Sequence, residues 1–180
     1  MTLVILTGIA EDHCLSISIL VLTLNEEINI RGCLESVDWC DDVVVLDSFS
    51  TDSTLQVAQE LGVRVVQREF DNYANQRNYG LSQIKYLHPW VLMLDADERV
   101  PVELRDELLS AVSQAQETVA MFSMRRKDHL FGRWIKGASG YPTWFGRLGR
   151  IGRVSVERQP LQRKQLTAAI FLDLPQTRRF

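Results

Sequence analysis

The chain has 180 residues, 46% of them hydrophobic and 24% charged, with a formal net charge of −3 at pH 7. That length suits one ordinary domain, and the composition excludes a disordered or fibrous protein. No apolar run is long enough to span a bilayer. The apolar start, residues 1–10, lacks a basic segment and runs into Glu11-Asp12, unlike a secretory leader. Three cysteines, Cys14, Cys33 and Cys40, show no metal-type spacing and an odd count, so a reducing, cytoplasmic setting is expected. The small net charge conceals a division. Residues 1–120 carry seven Lys+Arg against 20 Asp+Glu, whereas residues 121–180 carry 13 against three. Such asymmetry suits either mutual attraction of the two parts or a basic part that meets phosphates or an anionic membrane surface.

Residues 16–24, S-I-S-I-L-V-L-T-L, are β-branched and apolar and predict a strand buried on both faces. Ile30, Cys33, Leu34 and Val37 fall at helical spacing, with Glu26 and Glu27 in the expected first turn, where the helix dipole favours anions. Residues 43–46 predict a second strand, ending on Asp47. S-F-S-T-D-S-T then reads as a turn, with Asp52 or Ser53 capping a helix that presents Thr54, Val57, Ala58 and Leu61 and stops at Gly62. Residues 63–66 predict a third strand, the polar stretch 71–85 a helix interrupted in propensity by Gly80, and residues 90–94 a fourth strand. Pro101 opens a helix that buries Leu104, Leu108, Ala111 and Val112, and residues 119–124 predict a fifth strand. This alternation predicts an α/β fold with a mainly parallel sheet and helices on both faces.

In such sheets, ligands bind beyond the carboxyl ends of the strands. Asn25-Glu26, Asp47 and Asp95-Ala96-Asp97 all follow predicted strands, so they are expected to converge on one rim. Gathered carboxylates raise one another's pKa unless a cation or donor is shared. A hard ion such as Mg²⁺ is held by one or two carboxylates together with substrate phosphates. In Asp95-Ala96-Asp97 the two acids point the same way if the segment is extended. One can then hold a metal while the other accepts from a ribose. For Asp52 and Glu98, surface turns and helix caps are an equally good reading.

These residues resemble family 2 glycosyltransferases, inverting enzymes of GT-A, Rossmann-like fold. L-T-L-N-E-E (22–27) resembles the family's T-x-N-E-E opening, and V-V-V-L-D-S-F-S-T-D-S-T (43–54) its V-V-D-S-x-S-T-D-x-T segment. A-N-Q-R-N-Y-G (74–80) is similar to its Q-[KR]-N-x-[GA] helix, and L-D-A-D-E-R-V (94–100) to its D-x-D segment. The stretch 131–150 looks like that of bacterial lipopolysaccharide-core β-1,4-glucosyltransferases. The resemblance implies transfer of a hexose from a nucleoside-diphosphate sugar, a UDP-sugar above all, to a lipopolysaccharide-core, lipid-linked or other cell-envelope glycan. By position, Leu24 and Glu26 would line the base and ribose pocket, Asp47 would bond the uracil, Arg77 would contact the base and position the nucleotide, and Asp95 would bind ribose. Asp97 would coordinate Mg²⁺ or Mn²⁺. No nucleic-acid partner is implied, and the basic C-terminal part would make any peripheral membrane contact.

The sequence departs from that pattern in two places. Leu24 stands where many relatives have an aromatic, which removes stacking from that position. The likeness also fades after Arg153, so the expected division is an N-terminal extension 1–15, a nucleotide-sugar-binding domain 16–153 and an atypical tail 154–180 that reads as truncated or frame-altered. A catalytic base is not identified by the sequence. Glu157 and Asp128 are the acids available in the basic part, each more simply read as a solvated surface group. His13, His88 and His129 pair with no Cys or Ser at a useful spacing. Trp134, Tyr141, Trp144 and Phe145 suit either sugar stacking or core. A second reading is a nucleotide-sugar-binding remnant without catalysis.

Overall fold

The computed structural model describes residues 17–130, 133–136, 141–156 and 163–174. The predicted alternation forms the first half of the sheet. Strands β1 (Ile17–Thr23), β2 (Val43–Asp47), β3 (Arg64–Gln67) and β4 (Trp90–Asp95) pair in parallel in the order β3-β2-β1-β4. Helices α1 (Ile30–Glu35), α2 (Thr54–Glu60) and α3 (Tyr73–Gln83) make the successive crossovers. Strand β5 (Glu98–Arg99) and helix α4 (Val102–Ser113) follow β4.

The twofold period of the strands divides the core into two layers. Ile17, Ile19 and Val21 of β1 and Trp90, Leu92 and Leu94 of β4 pack with Ile30, Cys33 and Leu34 of α1 and Leu104, Leu108 and Val112 of α4. Leu20, Leu46, Val91 and Met93 face the other way and meet Leu81 of α3. Gly80 permits that second contact: a Cβ there would lie 2.3 Å from Leu20 Cδ2. The glycine that weakens the helical pattern is what lets α3 lie close on the sheet.

Beyond β4 the sheet is mixed. Strand β6 (Met121–Leu130) is longer than the fifth strand predicted, and β7 (Arg133–Trp134), β8 (Trp144–Arg150) and β9 (Arg163–Leu174) lie outside the sequence expectation. Strand β8 runs antiparallel between β4 and β6. Its sequence, W-F-G-R-L-G-R, carries two glycines and two arginines, which hide a strand from propensity reasoning. Nor does the sheet stop at residue 153. Strand β9 pairs in parallel with β6 and antiparallel with β5, and Ile170 is buried in the first core layer. The tail 154–180 therefore contributes a strand to the domain.

Helix α1 also begins later than expected. Glu26 and Glu27 precede it in the connecting turn, where the Glu26 carbonyl accepts from the N–H groups of Asn29 and Ile30 at 2.9 and 2.8 Å. Among the described residues, no helix is long and apolar enough to cross a membrane.

Candidate active site

Strand register brings the predicted rim together. Thr23 pairs with Asp47, and Leu22 with Asp95. Beyond these ends lies a cleft of about 360 Å³ whose lining includes Leu24, Glu26, Arg77, Asp95, Asp97 and Arg126. The loops after β1 and β2 are tied to each other. Asn25 N donates to Ser50 Oγ at 2.8 Å, and Asn25 Oδ1 accepts from Thr51 N at 2.8 Å. Glu26 N donates to Thr54 Oγ1 at 2.8 Å, Glu27 N to Asp52 Oδ2 at 3.1 Å, and Ser53 N to Glu27 Oε2 at 3.0 Å. Asn25 and Phe49 sit at φ +55° and +61°, a conformation unusual without glycine, and the ties to Ser50 and Thr51 hold Asn25 in it. The Asn, Glu, Ser, Thr and Asp of the two sequence blocks thus knit the loops that frame the cleft. Ser53 is the N-cap of α2 and makes no side-chain cap bond, while Asp52, one residue before it, accepts from Thr54 N through Oδ1 at 2.9 Å.

At the end of β4 two arginines converge on one carboxylate. Arg77 Nη2 donates to Asp95 Oδ1 at 2.7 Å, and Arg147 Nη2 to Asp95 Oδ2 at 2.9 Å. Arg147 also donates to Glu98 Oε1 at 2.6 Å, while Glu98 Oε2 accepts from Asp95 N at 2.9 Å. Burial acts to raise the Asp95 pKa, but Arg147 and Arg77 outweigh it and hold the carboxyl below its ordinary value. Burial pushes Glu98 upward, with Arg147 opposing. Asp97 is different. Burial, followed by the charges of Asp95 and Glu26, pushes its pKa up to about 6, and Arg126 opposes this only weakly. The rim thus holds one neutralised carboxylate and one that an added cation would stabilise. Among the described residues no group of three or more His, Cys, Asp or Glu is assembled around a metal. Asp97 fits an ion that draws its remaining ligands from phosphates.

The Glycosyl transferase family 2 model matches residues 18–171. The chain belongs to this family. It is 32% identical over 123 residues to the lipopolysaccharide core biosynthesis glycosyltransferase LpsC of Rhizobium meliloti, a match covering 66% of this chain and 44% of that protein. It is 38% identical over 93 residues to an uncharacterized glycosyltransferase of Rickettsia typhi, covering 51% of this chain and 31% of that protein. The chain therefore spans less than half the length of these relatives. TarS of Staphylococcus aureus, residues 1–349, is similar in fold with a TM-score of 0.57 at 22% identity, covering 76% of this chain and 47% of that one. Glucosyl-3-phosphoglycerate synthase of Mycobacterium tuberculosis, in complex with Mn²⁺, UDP and glucosyl-3-phosphoglycerate, gives 0.53 at 25% identity, covering 62% and 44%. The expected GT-A architecture is that of this family 2 chain.

Against that frame, five of the six predicted binding residues converge on the cleft: Leu24, Glu26, Arg77, Asp95 and Asp97. Asp47 does not. It is fully buried, and its carboxylate accepts from Ser50 N at 2.9 Å, Ser50 Oγ at 2.5 Å and Gln67 Nε2 at 3.2 Å. The next residue, Ser48, lines the cleft instead. Arg77 lines the cleft with its guanidinium engaged by Asp95. Glu98 is no surface cap, because it is fully buried under Arg147. Asp128 is not a solvated surface group either. It is 5% exposed and accepts from Arg126 Nε at 3.1 Å. Glu157 and the extension 1–15 lie outside the described residues.

Sequence reasoning missed Ser48, Phe70, Tyr73, Gln76, Arg126 and Arg147. Phe70 and Tyr73, an edge-to-face pair with ring centroids 5.2 Å apart, provide the aromatic surface that Leu24 lacks. For Arg147 a signal existed: an arginine within an apolar, glycine-punctuated run must find partners if buried. Trp134 and Tyr141 pack edge to face at 5.1 Å, and Lys127 and Lys136 lie 4.9 and 5.6 Å from the Trp134 ring centroid. Arg125 lies against Trp144, and Arg126 against Phe145. None of those four aromatics is among the cleft-lining residues.

Proposed function

We propose that this chain transfers a hexose, glucose foremost, from a nucleoside-diphosphate sugar to a lipopolysaccharide-core, lipid-linked or other cell-envelope glycan, with inversion. The observation that carries the reading is the unequal pair of rim carboxylates. Asp95, neutralised by Arg77 and Arg147, is held rigidly and keeps lone pairs for ribose hydroxyls. Asp97 would hold Mg²⁺ or Mn²⁺ beside the diphosphate, and that ion, when bound, supplies Lewis-acid stabilisation of the departing nucleoside diphosphate. Arg126, paired with Asp128, also lines the cleft. Leu24, Phe70 and Tyr73 offer apolar surface to the base. The likeness to LpsC supports a cell-envelope acceptor, and the structural likeness to a UDP- and Mn²⁺-bound synthase supports the donor and metal. The basic C-terminal part would also meet an anionic membrane surface.

Inversion requires one general base at the acceptor hydroxyl. Asp128 and Glu157 are the candidates, and Asp128 would first have to be released from Arg126. That pairing favours a second reading, in which the chain binds the nucleotide sugar without turnover. Sugar transfer or donor hydrolysis with Mn²⁺, measured for wild type and Asp97→Ala, tests the first reading. The expected loss is on the order of a hundredfold, and equal activity of the two proteins would sink the metal role. Calorimetry separates the readings, since metal-dependent UDP binding without turnover supports the second.

A further inference from the structure

Strand β6 serves two faces. Its residues alternate, so Met124, Arg126 and Asp128 share one side and Arg125 and Lys127 the other. Met124 is buried in the first core layer, and Arg126 lines the cleft. Arg125 and Lys127 therefore turn away from both. Cross-strand partners lie on one side of a sheet, so Trp144, paired with Arg125, and Trp134, paired with His129, join them. Among the described residues, the second core layer, which α3 covers, takes nothing from β6 or β7. What stands on this face is a set of cations held against rings. The Arg125 guanidinium lies 5.8 Å from the Tyr141 ring centroid and 5.4 Å from that of Trp144. The Lys127 and Lys136 ammonium groups lie 4.9 and 5.6 Å from that of Trp134, and Trp134 meets Tyr141 edge to face at 5.1 Å. A ring quadrupole attracts a cation but has no net charge, so the group as a whole stays positive. Residues 121–150 carry seven Lys+Arg against a single acid, Asp128, which lies on the other side and accepts from Arg126 at 3.1 Å. The Trp134 Nε1 donor is buried with no acceptor among the described residues.

We propose that this face is a subsite for an anionic saccharide, which gives a phosphate or carboxylate to Arg125, Lys127 and Lys136 and an oxygen to the Trp134 indole. A guanidinium fork beside two ammonium groups suits an oxyanion with several acceptor oxygens. The rings restrain the long cationic side chains, so less freedom is lost when the anion arrives. A saccharide brings, besides its charged group, hydroxyl and ring oxygens that accept from an indole N–H. A lipid surface is held by apolar tips as well as by charge, and among the described residues none of the large exposed apolar side chains lies on β6, β7 or β8. The inference deepens the proposed transferase reading and rests on it for the part the saccharide plays. Arg126, between Arg125 and Lys127, lines the donor cleft, while its two neighbours point to the other side. The saccharide held by those neighbours is thus a unit of the acceptor other than the one that reacts.

NMR of the isotope-labelled full chain, free of nucleotide and metal, tests this. The reporter is the Trp134 indole N–H signal, identified by its loss in Trp134→Phe. The titrants are glucose 6-phosphate, glucuronate, glucose, inorganic phosphate and phosphatidylglycerol vesicles. At least one of the two anionic sugars is expected to move that signal and to bind about tenfold or more tightly than glucose, and more tightly than inorganic phosphate. Replacing both lysines, Lys127→Gln with Lys136→Gln, at half-buried and exposed positions where folding is little affected, brings the ratio to glucose toward one. Equal affinity for glucose and both anionic sugars, or an unchanged ratio in the double variant, overturns the inference. So does inorganic phosphate that binds as tightly as the sugars, or vesicles that move the signal while the sugars leave it in place. Donor and metal are absent from these titrations. A chain that binds the anionic sugar yet neither binds UDP nor transfers sugar in the earlier assays keeps the subsite and loses the transferase reading.

Discussion

The two halves of the sheet are built by different rules and meet at one salt-bridged carboxylate. The acidic half, β3-β2-β1-β4, is made of parallel crossovers whose strands alternate between two core layers and end together at the rim. The basic half is mixed, and its strands are joined through pairings distant in sequence: β8 lies against β4, and β9 against both β6 and β5. The first half supplies Leu24, Glu26, Ser48, Asp95 and Asp97 to the cleft, and the second returns Arg126 to its lining and Arg147 to Asp95 and Glu98. Part of the charge division between the halves is thus spent in direct pairing across β4 and β8. The lesson is that the binding rim of a parallel sheet, legible in its acids, is completed by cations whose position depends on an antiparallel insertion.

The largest expected effect comes from breaking that junction. Arg147→Met leaves Asp95 and Glu98 without their shared, 95%-buried cation, and removal of one member of such a group costs about 3–5 kcal/mol. Urea unfolding measures it, and an unchanged midpoint would mean that the halves are energetically independent. Gly80→Ala probes the first half alone. Its Cβ would press on fully buried Leu20, and overpacking of about 1–3 kcal/mol exceeds the roughly 1 kcal/mol gained in helix propensity, so net destabilisation in thermal melts is expected. Asp52→Ala sharpens the comparison at its smallest scale. It removes the bonds to Thr54 N and Glu27 N, at about 1 kcal/mol, without touching the basic half. A loss of stability comparable to that of Arg147→Met would show that loop ties, not the junction, dominate the rim.

The first half was legible because its signals are local. Apolar alternation marks β1, β2 and β4, and the acids that interrupt it mark the rim. Asp95 and Asp97 could be placed at a strand end from the run W-V-L-M-L-D-A-D alone. Asp47 shows the limit of that reasoning. Its position at the end of β2 was readable, but whether it or Ser48 faces the cleft depends on the turn that folds Ser50 back onto its carboxylate. The second half was poorly legible, since β8 and β9 are specified by partners far away and their mixed, charged sequences carry little strand periodicity.

By itself, then, the sequence determined the alternating half of the fold, the rim and the kind of acids on it, since hydrophobic period and strand-terminal carboxylates are properties of neighbouring residues. Only the tertiary structure decided what each acid does. The assignment of Asp95 to two arginines, of Asp97 to none so closely, and of Ser48 Oγ to the Gln76 amide depends on groups between 18 and 52 positions apart. Electrostatic neutralisation and hydrogen-bond polarity act over a few ångströms in space, and no sequence spacing encodes them.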